Sequence, residues 1–298
     1  MARATAPTLP SFFGSTKTTR TPGTSGRYIQ REIFLGMRVA LKIAYDGRAF
    51  FGSQRQPDRR TVEGECLVAL KAAKILKDSQ ESFFRSASRT DRGVSAVGNV
   101  IAFNTHLPPE AVIGAFNDRS QEVWAWAAAT VSDSFHPRHA LERWYRYHIF
   151  DPLSPRALRR AASLFIGEHD FGAFTPDPAE APLTIDGIEV TRSPHAILFD
   201  VRARTFRRNM VRRIVAAAIR CARGELSEVE IRRALSGIRR DFGMVRPEPL
   251  FLMDVRYPFD LDVIVKPRVR DAWRLMEQDT DLRRRLIAQW HRATHGIQ

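Results

Sequence analysis

The segment Ser86-Ala87-Ser88-Arg89-Thr90-Asp91-Arg92-Gly93-Val94-Ser95-Ala96 sets one carboxylate between two arginines. A carboxylate flanked by cations stays ionised, and Gly93, free of a Cβ, lets the backbone approach whatever Asp91 faces. Such a group suits a nucleophile or a base. On these residues alone, a solvated turn with compensating charges is the commoner explanation.

Two further segments bear on chemistry. In Phe206-Arg207-Arg208-Asn209-Met210-Val211-Arg212-Arg213-Ile214, a helical projection gathers Met210, Ile214, Ala217 and Cys221 on one side. Arg208, Arg212 and Arg223 fall nearly opposite. Eight arginines and no acid lie between Arg202 and Arg223. They repel one another unless phosphates or carboxylates meet them, which favours a binding face. In Arg143-Trp144-Tyr145-Arg146-Tyr147, strand alternation puts Arg143, Tyr145 and Tyr147 on one face and Trp144 and Arg146 on the other. Aromatics interleaved with arginine can stack an unpaired base and hold its phosphates, although strand core is the commoner reason for the pattern. Metal chemistry is poorly supported. His136 and His139 lack a carboxylate or thiolate at ligand spacing, and Glu168-His169-Asp170 forms no known zinc pattern. No Walker loop or GxGxxG follows a strand, so nucleotide cofactors are unsupported.

These segments need elements to hold them. Val39, Leu41, Ile43 and Tyr45 alternate as a strand ending at Asp46-Gly47. Thr61 caps a helix expected to run to about Lys77, and 94–104 reads as a strand. Pro108-Pro109-Glu110 opens a short helix, and 121–131 and 142–150 read as strands. Beyond them, Ser154-Pro155 starts a helix that stops before Gly167. Residues 188–190 and 197–203 form a hairpin, and a helix is expected from about Phe206 to Ala222. Another starts at the capping box Ser227-Glu228-Val229-Glu230 and stops at Gly237. This reads as α+β, with an N-terminal αβ lobe over 37–137 and a C-terminal αβ lobe over 138–266.

Residues 1–36, rich in Thr, Ser, Pro, Gly and Arg, read as a disordered basic arm. Met37 stands just before the first strand and is a candidate native start beside Met1. Residues 267–298 read as an appended basic helix, with Leu282, Leu286 and Trp290 beside Arg283-Arg284-Arg285.

The chain has 298 residues, 44% of them hydrophobic, enough for one large core or two ordinary ones. Its 47 Lys+Arg against 33 Asp+Glu leave a formal charge of +14, which favours a polyanionic partner, nucleic acid above all. Cys66 and Cys221 lie far apart without a CxxC partner, which argues against a disulfide framework and for a reducing compartment. No run is long and apolar enough for a membrane helix and no apolar leader opens the chain, so the expected location is the cytoplasm.

Taken in order, several motifs resemble the TruA family of tRNA pseudouridine synthases. They are Tyr45-Asp46-Gly47, Phe51-Gly52-Ser53-Gln54-Arg55-Gln56, Thr61-Val62-Glu63-Gly64, Arg89-Thr90-Asp91-Arg92-Gly93-Val94-Ser95-Ala96, Phe135-His136-Pro137-Arg138, Arg143-Trp144-Tyr145-Arg146-Tyr147, Gly167-Glu168-His169-Asp170-Phe171 and Met210-Val211-Arg212. The likeness spans about 37 to 257. It departs at Ser53, where bacterial members usually have Trp, at Arg92, usually Ala, and at Ser95, where His is common.

The resemblance implies a pseudouridine synthase fold, two αβ lobes with mixed, mainly antiparallel sheets around a central basic cleft. It implies a cytoplasmic enzyme, commonly a homodimer, that needs no metal or organic cofactor. Its reaction is isomerisation of uridine to pseudouridine in the anticodon stem-loop of tRNA, at about positions 38 to 40, on a nucleotide extruded from its stack. Asp91 matches the catalytic aspartate, Tyr145 the tyrosine that packs on the target base, and Arg212 the arginine that pairs with the aspartate. Arg89 matches the arginine that helps flip the nucleotide. Arg92, Arg208, Arg143 and Tyr147 are the remaining expected substrate contacts. The alternatives from other classes are a catalytically silent tRNA-binding or RNA-folding protein and, disfavoured by the lack of a helix-turn-helix or zinc signal, a DNA-binding protein.

Overall fold

The computed structural model describes residues 36–76, 82–177 and 181–295. The expected arm, apart from Gly36, lies outside them. The first strand, β1 (Met37–Tyr45), buries the alternating Val39, Leu41, Ile43 and Tyr45, and also Ala40, because it is an interior strand. It pairs antiparallel with both β3 (Ser95–Thr105) and β4 (Val123–Val131), so that Val39 faces Phe103 on one side and Thr130 on the other. The short β2 (Arg85–Ser86) edges β3.

The second half supplies β5 (Glu142–Ile149), the two-stranded β6 (Gly167–His169) and β7 (Leu183–Ile185), the hairpin β8 (Gly187–Arg192) and β9 (Ile197–Ala203), then β10 (Leu250–Arg256) and β11 (Asp262–Val263). The main sheet has nine strands, ordered β11-β4-β1-β3-β10-β5-β9-β8 with β2 beside β3. The two expected lobes therefore share one sheet. Strand β10 joins them, parallel to β3 and antiparallel to β5, with Leu252 between Ala96 and Tyr145. This parallel contact places Ala96, shortly after Asp91, one strand away from Tyr145, although 49 positions of sequence separate the two.

Local signals set the helix starts. Thr61 Oγ1 accepts from the Gly64 amide at the head of α1 (Val62–Ala72), and Ser154 caps α3 (Pro155–Ala162) with proline at the first helical position. The reciprocal Ser227–Glu230 box opens α5 (Glu228–Leu235). Between them, α2 (Pro109–Arg119) packs on α1 and β4, and α4 (Met210–Ala222) packs on α3.

Two helix boundaries differ from the sequence expectation. Helix α1 ends at Ala72, not Lys77, because Lys74 turns left-handed at φ +57 and folds Ile75 and Leu76 back under Leu70. Helix α4 begins at Met210, not Phe206, because Asn209 sits at φ +62. The tail forms one helix, α6 (Pro267–His295), anchored at Val269 and exposed from Arg274 to Thr280 and from Leu282 to Trp290.

Candidate active site

Asp91 lies on the loop between β2 and β3, and polar contacts hold the backbone on both sides of it. Asn99, in the interior of β3, clasps Ser88: its amide nitrogen donates to Ser88 O at 3.0 Å and its oxygen accepts from Ser88 N at 3.3 Å. The same nitrogen donates to the hydroxyl of Tyr45, which lies 2.9 Å from Thr90 Oγ1. Ser53, 1% exposed, receives the Thr90 amide on its Oγ at 2.7 Å and donates its own amide to Thr90 O at 3.0 Å. After Asp91, the Val94 amide closes a tight turn on Asp91 O, with Gly93 at φ +86 in the region that favours glycine. Gly93 N donates to Gly47 O, and a Cβ on Gly47 would stand 2.1 Å from Val94 O. Two departures from the usual family pattern are structural members here. Ser53 braces Thr90, and Ser95 Oγ accepts from the Gly47 amide at 3.0 Å.

The carboxylate itself is met by the first turn of α4. Arg212 Nη1 donates to Asp91 Oδ2 at 3.0 Å, with the Asp91 side chain 32% exposed and that of Arg212 10%. Arg212 Nε is engaged elsewhere, donating to Val245 O at 2.9 Å. The guanidinium thus spans Asp91 and the loop before β10 and does not grip both carboxylate oxygens. Asn209 supplies the other contact. With its amide nitrogen toward the carboxylate, it stands 2.7 Å from Oδ2 and 3.3 Å from Oδ1. The left-handed backbone of Asn209 aims that amide, and a helix N-terminus adds a partial positive charge that favours an anion. Sequence reasoning missed Asn209 because it lay inside an assumed helix. The available signal was Asn, the side chain that best tolerates φ > 0, next to the helix start.

Tyr145 lies on β5, 7% exposed, with its ring edge-on to Phe206 at 5.2 Å. Burial pushes its phenol up to about 12, against the opposing pull of the Arg143 charge and the Ser88 hydroxyl, so it is neutral at physiological pH. Tyr147, two residues on and also buried, is likewise raised to about 12 by burial.

Other expected site residues are arranged differently. Arg143 is 7% exposed and donates to Ser88 Oγ and to the carbonyls of Ala87, Arg138 and Arg204. It is a strut between the Asp91 loop, the segment before β5 and the end of β9, and the guanidinium expected to grip substrate is engaged on four partners within the protein. Arg208 is exposed and pairs with Asp177 at 2.6 Å. Arg92 is exposed and lies 4.4 Å over the Phe51 ring, a contact that Arg59 shares at 4.7 Å. Arg89 is exposed and forms no ion pair among the described residues.

The eight arginines from 202 to 223 are not the uncompensated face expected of them. Six meet carboxylates: Arg202 with Glu189, Arg208 with Asp177, Arg212 with Asp91, Arg213 with Asp241, Arg220 with Glu225 and Arg223 with Asp151. Among the described residues, no group of three or more His, Cys, Asp or Glu gathers as a metal site, and no helix is long and apolar enough to cross a membrane.

A family model described as tRNA pseudouridine synthase matches residues 161–258. A tRNA pseudouridine synthase A of Thermococcus sibiricus is 40% identical over 242 residues, covering 78% of this chain and 91% of that protein. One from Pyrococcus furiosus is 42% identical over 227 residues, covering 74% and 84%. One from Methanococcoides burtonii is 39% identical over 236 residues, covering 76% and 85%.

Proposed function

Since the chain belongs to the TruA family of tRNA pseudouridine synthases and is itself a pseudouridine synthase acting on tRNA, we propose that its target lies in the anticodon stem-loop, at about positions 38 to 40, on a flipped nucleotide. Asp91 is the catalytic carboxylate in this reading. The observation that carries it is the partly open carboxylate fixed by Arg212 and Asn209 on a loop whose backbone is tied down on both sides.

Isomerisation breaks the C1′–N1 bond and rejoins the same base through C5, so the base must be held while it turns. An ionised carboxylate can attack the sugar or the base, or remove a proton. Arg212 and Asn209 fix its direction, and preorganised donors of this kind lower the reorganisation needed during reaction. Tyr145, held neutral, offers an aromatic surface for the base, with Tyr147 beside it on the strand. Arg89, Arg92 and Arg208 are exposed and reach the RNA backbone, Arg208 by exchanging Asp177 for phosphate. A fully exposed ion pair of that kind is weak and screened by solvent, a small barrier to exchange.

A cytoplasmic homodimer completes the proposal. Leu275, Leu282 and Leu286 of α6 are each at least half exposed, and a second copy of the chain would cover them. The experiment for the main reading is incubation with unmodified tRNA transcripts and mapping of pseudouridine at single-nucleotide resolution. Product at 38 to 40, absent with Asp91→Asn, is the expected result. Pseudouridine confined to another arm of the tRNA would overturn the positional assignment.

A further inference from the structure

Six of the eight arginines from 202 to 223 meet carboxylates, but four arginines around the outer side of the Asp91 loop do not. Arg55, Arg85, Arg89 and Arg138 line one open cavity of about 280 Å³, all four are exposed, and none forms an ion pair among the described residues. Arg85 donates only to the neighbouring carbonyl of Phe84. The single acid on the wall is Glu63, which already accepts the Arg55 amide. Four guanidinium groups thus surround one carboxylate.

Two of the same cations act on His136, two residues from Arg138. His136 is held below the usual histidine range, first by burial and then by His139, Arg138, Arg85 and Arg38. Uncompensated guanidinium groups around a concavity are the planar, multidentate donors that fit phosphate oxygens. The lining offers no open aromatic ring on which a base could stack. Its one aromatic, Phe84, is 9% exposed and offers no open ring face.

We infer that this cavity is a backbone subsite that holds a phosphodiester of the substrate RNA beside the reacting nucleotide. Arg89 borders it two residues before Asp91, so a strand that delivers a nucleotide to Asp91 passes the cavity mouth. The inference rests on the tRNA reading above and adds where the strand is gripped.

The test compares full-length wild type with Arg85→Gln/Arg138→Gln. The reference is Arg232→Gln/Arg256→Gln, which removes equal charge from exposed arginines outside the cavity. Affinity for unmodified tRNA is measured across salt concentrations. The cavity variant is expected to bind about tenfold more weakly near physiological salt, with a log–log salt slope shallower by about 1, since each lost phosphate contact removes ~0.7–0.9. A slope equal to that of the reference overturns the subsite. Arg55→Gln, on an exposed loop, gives the same reading singly should the double variant misfold. Stem-loop RNAs with one neutral methylphosphonate linkage supply a second readout. Wild type loses affinity at one linkage, and the cavity variant loses none there. If millimolar inorganic phosphate raises the Tm of wild type alone while the RNA slopes stay equal, the cavity holds a free anion and the RNA assignment falls. Wild type that binds with the expected slope difference yet makes no pseudouridine leaves the subsite standing and overturns the catalytic reading.

Discussion

At Asp91, two side chains of different strength share the task of aiming one carboxylate. Arg212 gives it one charge-assisted hydrogen bond and anchors its own other end on Val245 O, so its length matters as much as its charge. Lysine can reach one of these partners, not both. Arg212→Lys should fold, bind tRNA within a few-fold of wild type and lose roughly a hundredfold in single-turnover rate, a cost consistent with a catalytic group displaced by about 1 Å. Unchanged rates with weakened binding would make Arg212 an ordinary phosphate contact. Asp91→Asn keeps the shape and removes the charge, and single-turnover rates should fall by more than about a thousandfold while affinity holds. Asn209 has a backbone role as well as a hydrogen bond, and two variants separate them. Asn209→Gly and Asn209→Ala should both slow turnover about tenfold, roughly 1.4 kcal/mol. Only the alanine variant, forced into the left-handed region, should also lose about 1 kcal/mol of stability in urea unfolding. Asp91 stood out as a candidate because its flanking charges and Gly93 are adjacent residues, but those residues alone favoured a solvated turn and only the resemblance singled it out. Asn209 did not stand out, because a positive φ leaves no periodic trace.

Strand β5 shows how far alternation carries at the scale of an element. The sequence correctly places Arg143, Tyr145 and Tyr147 on one face, and all three are buried. It does not say what that face meets, since the partners Ala87, Ser88 and Arg204 come from distant segments. Nor does it reveal that β10 inserts between β3 and β5, a pairing without a local turn to announce it. Arg143→Ala leaves buried carbonyls without donors and should cost about 2–4 kcal/mol, read as a lowered urea midpoint. Stability near that of wild type would return Arg143 to the substrate-binding role first expected of it. The tyrosines give the same element a pH signature. Burial raises the phenols of Tyr145 and Tyr147 to about 12, and those of Tyr45 and Tyr257 are raised as well. Unfolded tyrosine titrates near about 10. The unfolded chain therefore loses these protons first, and their contribution is complete below about pH 10 and lost as pH rises toward 12. Tyrosinate absorbance should appear together with loss of the far-ultraviolet circular dichroism signal. Gradual titration near pH 10 in a folded protein would contradict this burial.

Over the whole molecule, the charge of +14 is unevenly compensated. The arginine run of α4 reads as a binding face in sequence because its acids, Asp151, Asp177, Asp241 and Glu189, lie far away along the chain. Helix α6 divides its charge differently. Glu277, Asp279 and Asp281 cluster at its middle, with Arg268, Arg270 and Arg274 before them and Arg283, Arg284, Arg285 and Arg292 after. The i,i+4 pairs Asp279–Arg283 and Asp281–Arg285 join the acidic segment to the basic run within one helix and support it weakly. Leu275, Leu282 and Leu286 lie along one line at helical spacing and remain exposed. Two copies laid antiparallel about Leu282 would cover that line and set Glu277, Asp279 and Asp281 of each helix against Arg283, Arg284 and Arg285 of the other, whereas a parallel pair in register would oppose like charges. The proposed homodimer therefore has a specific interface. Sedimentation at tens of micromolar should give a dimer for wild type and a monomer for Leu282→Glu/Leu286→Glu. Because the substituted leucines are exposed and distant from Asp91, the monomer should keep its thermal stability and fold. A dimer that survives the double substitution would move the interface away from α6, and a wild type that sediments as a monomer would remove the homodimer altogether.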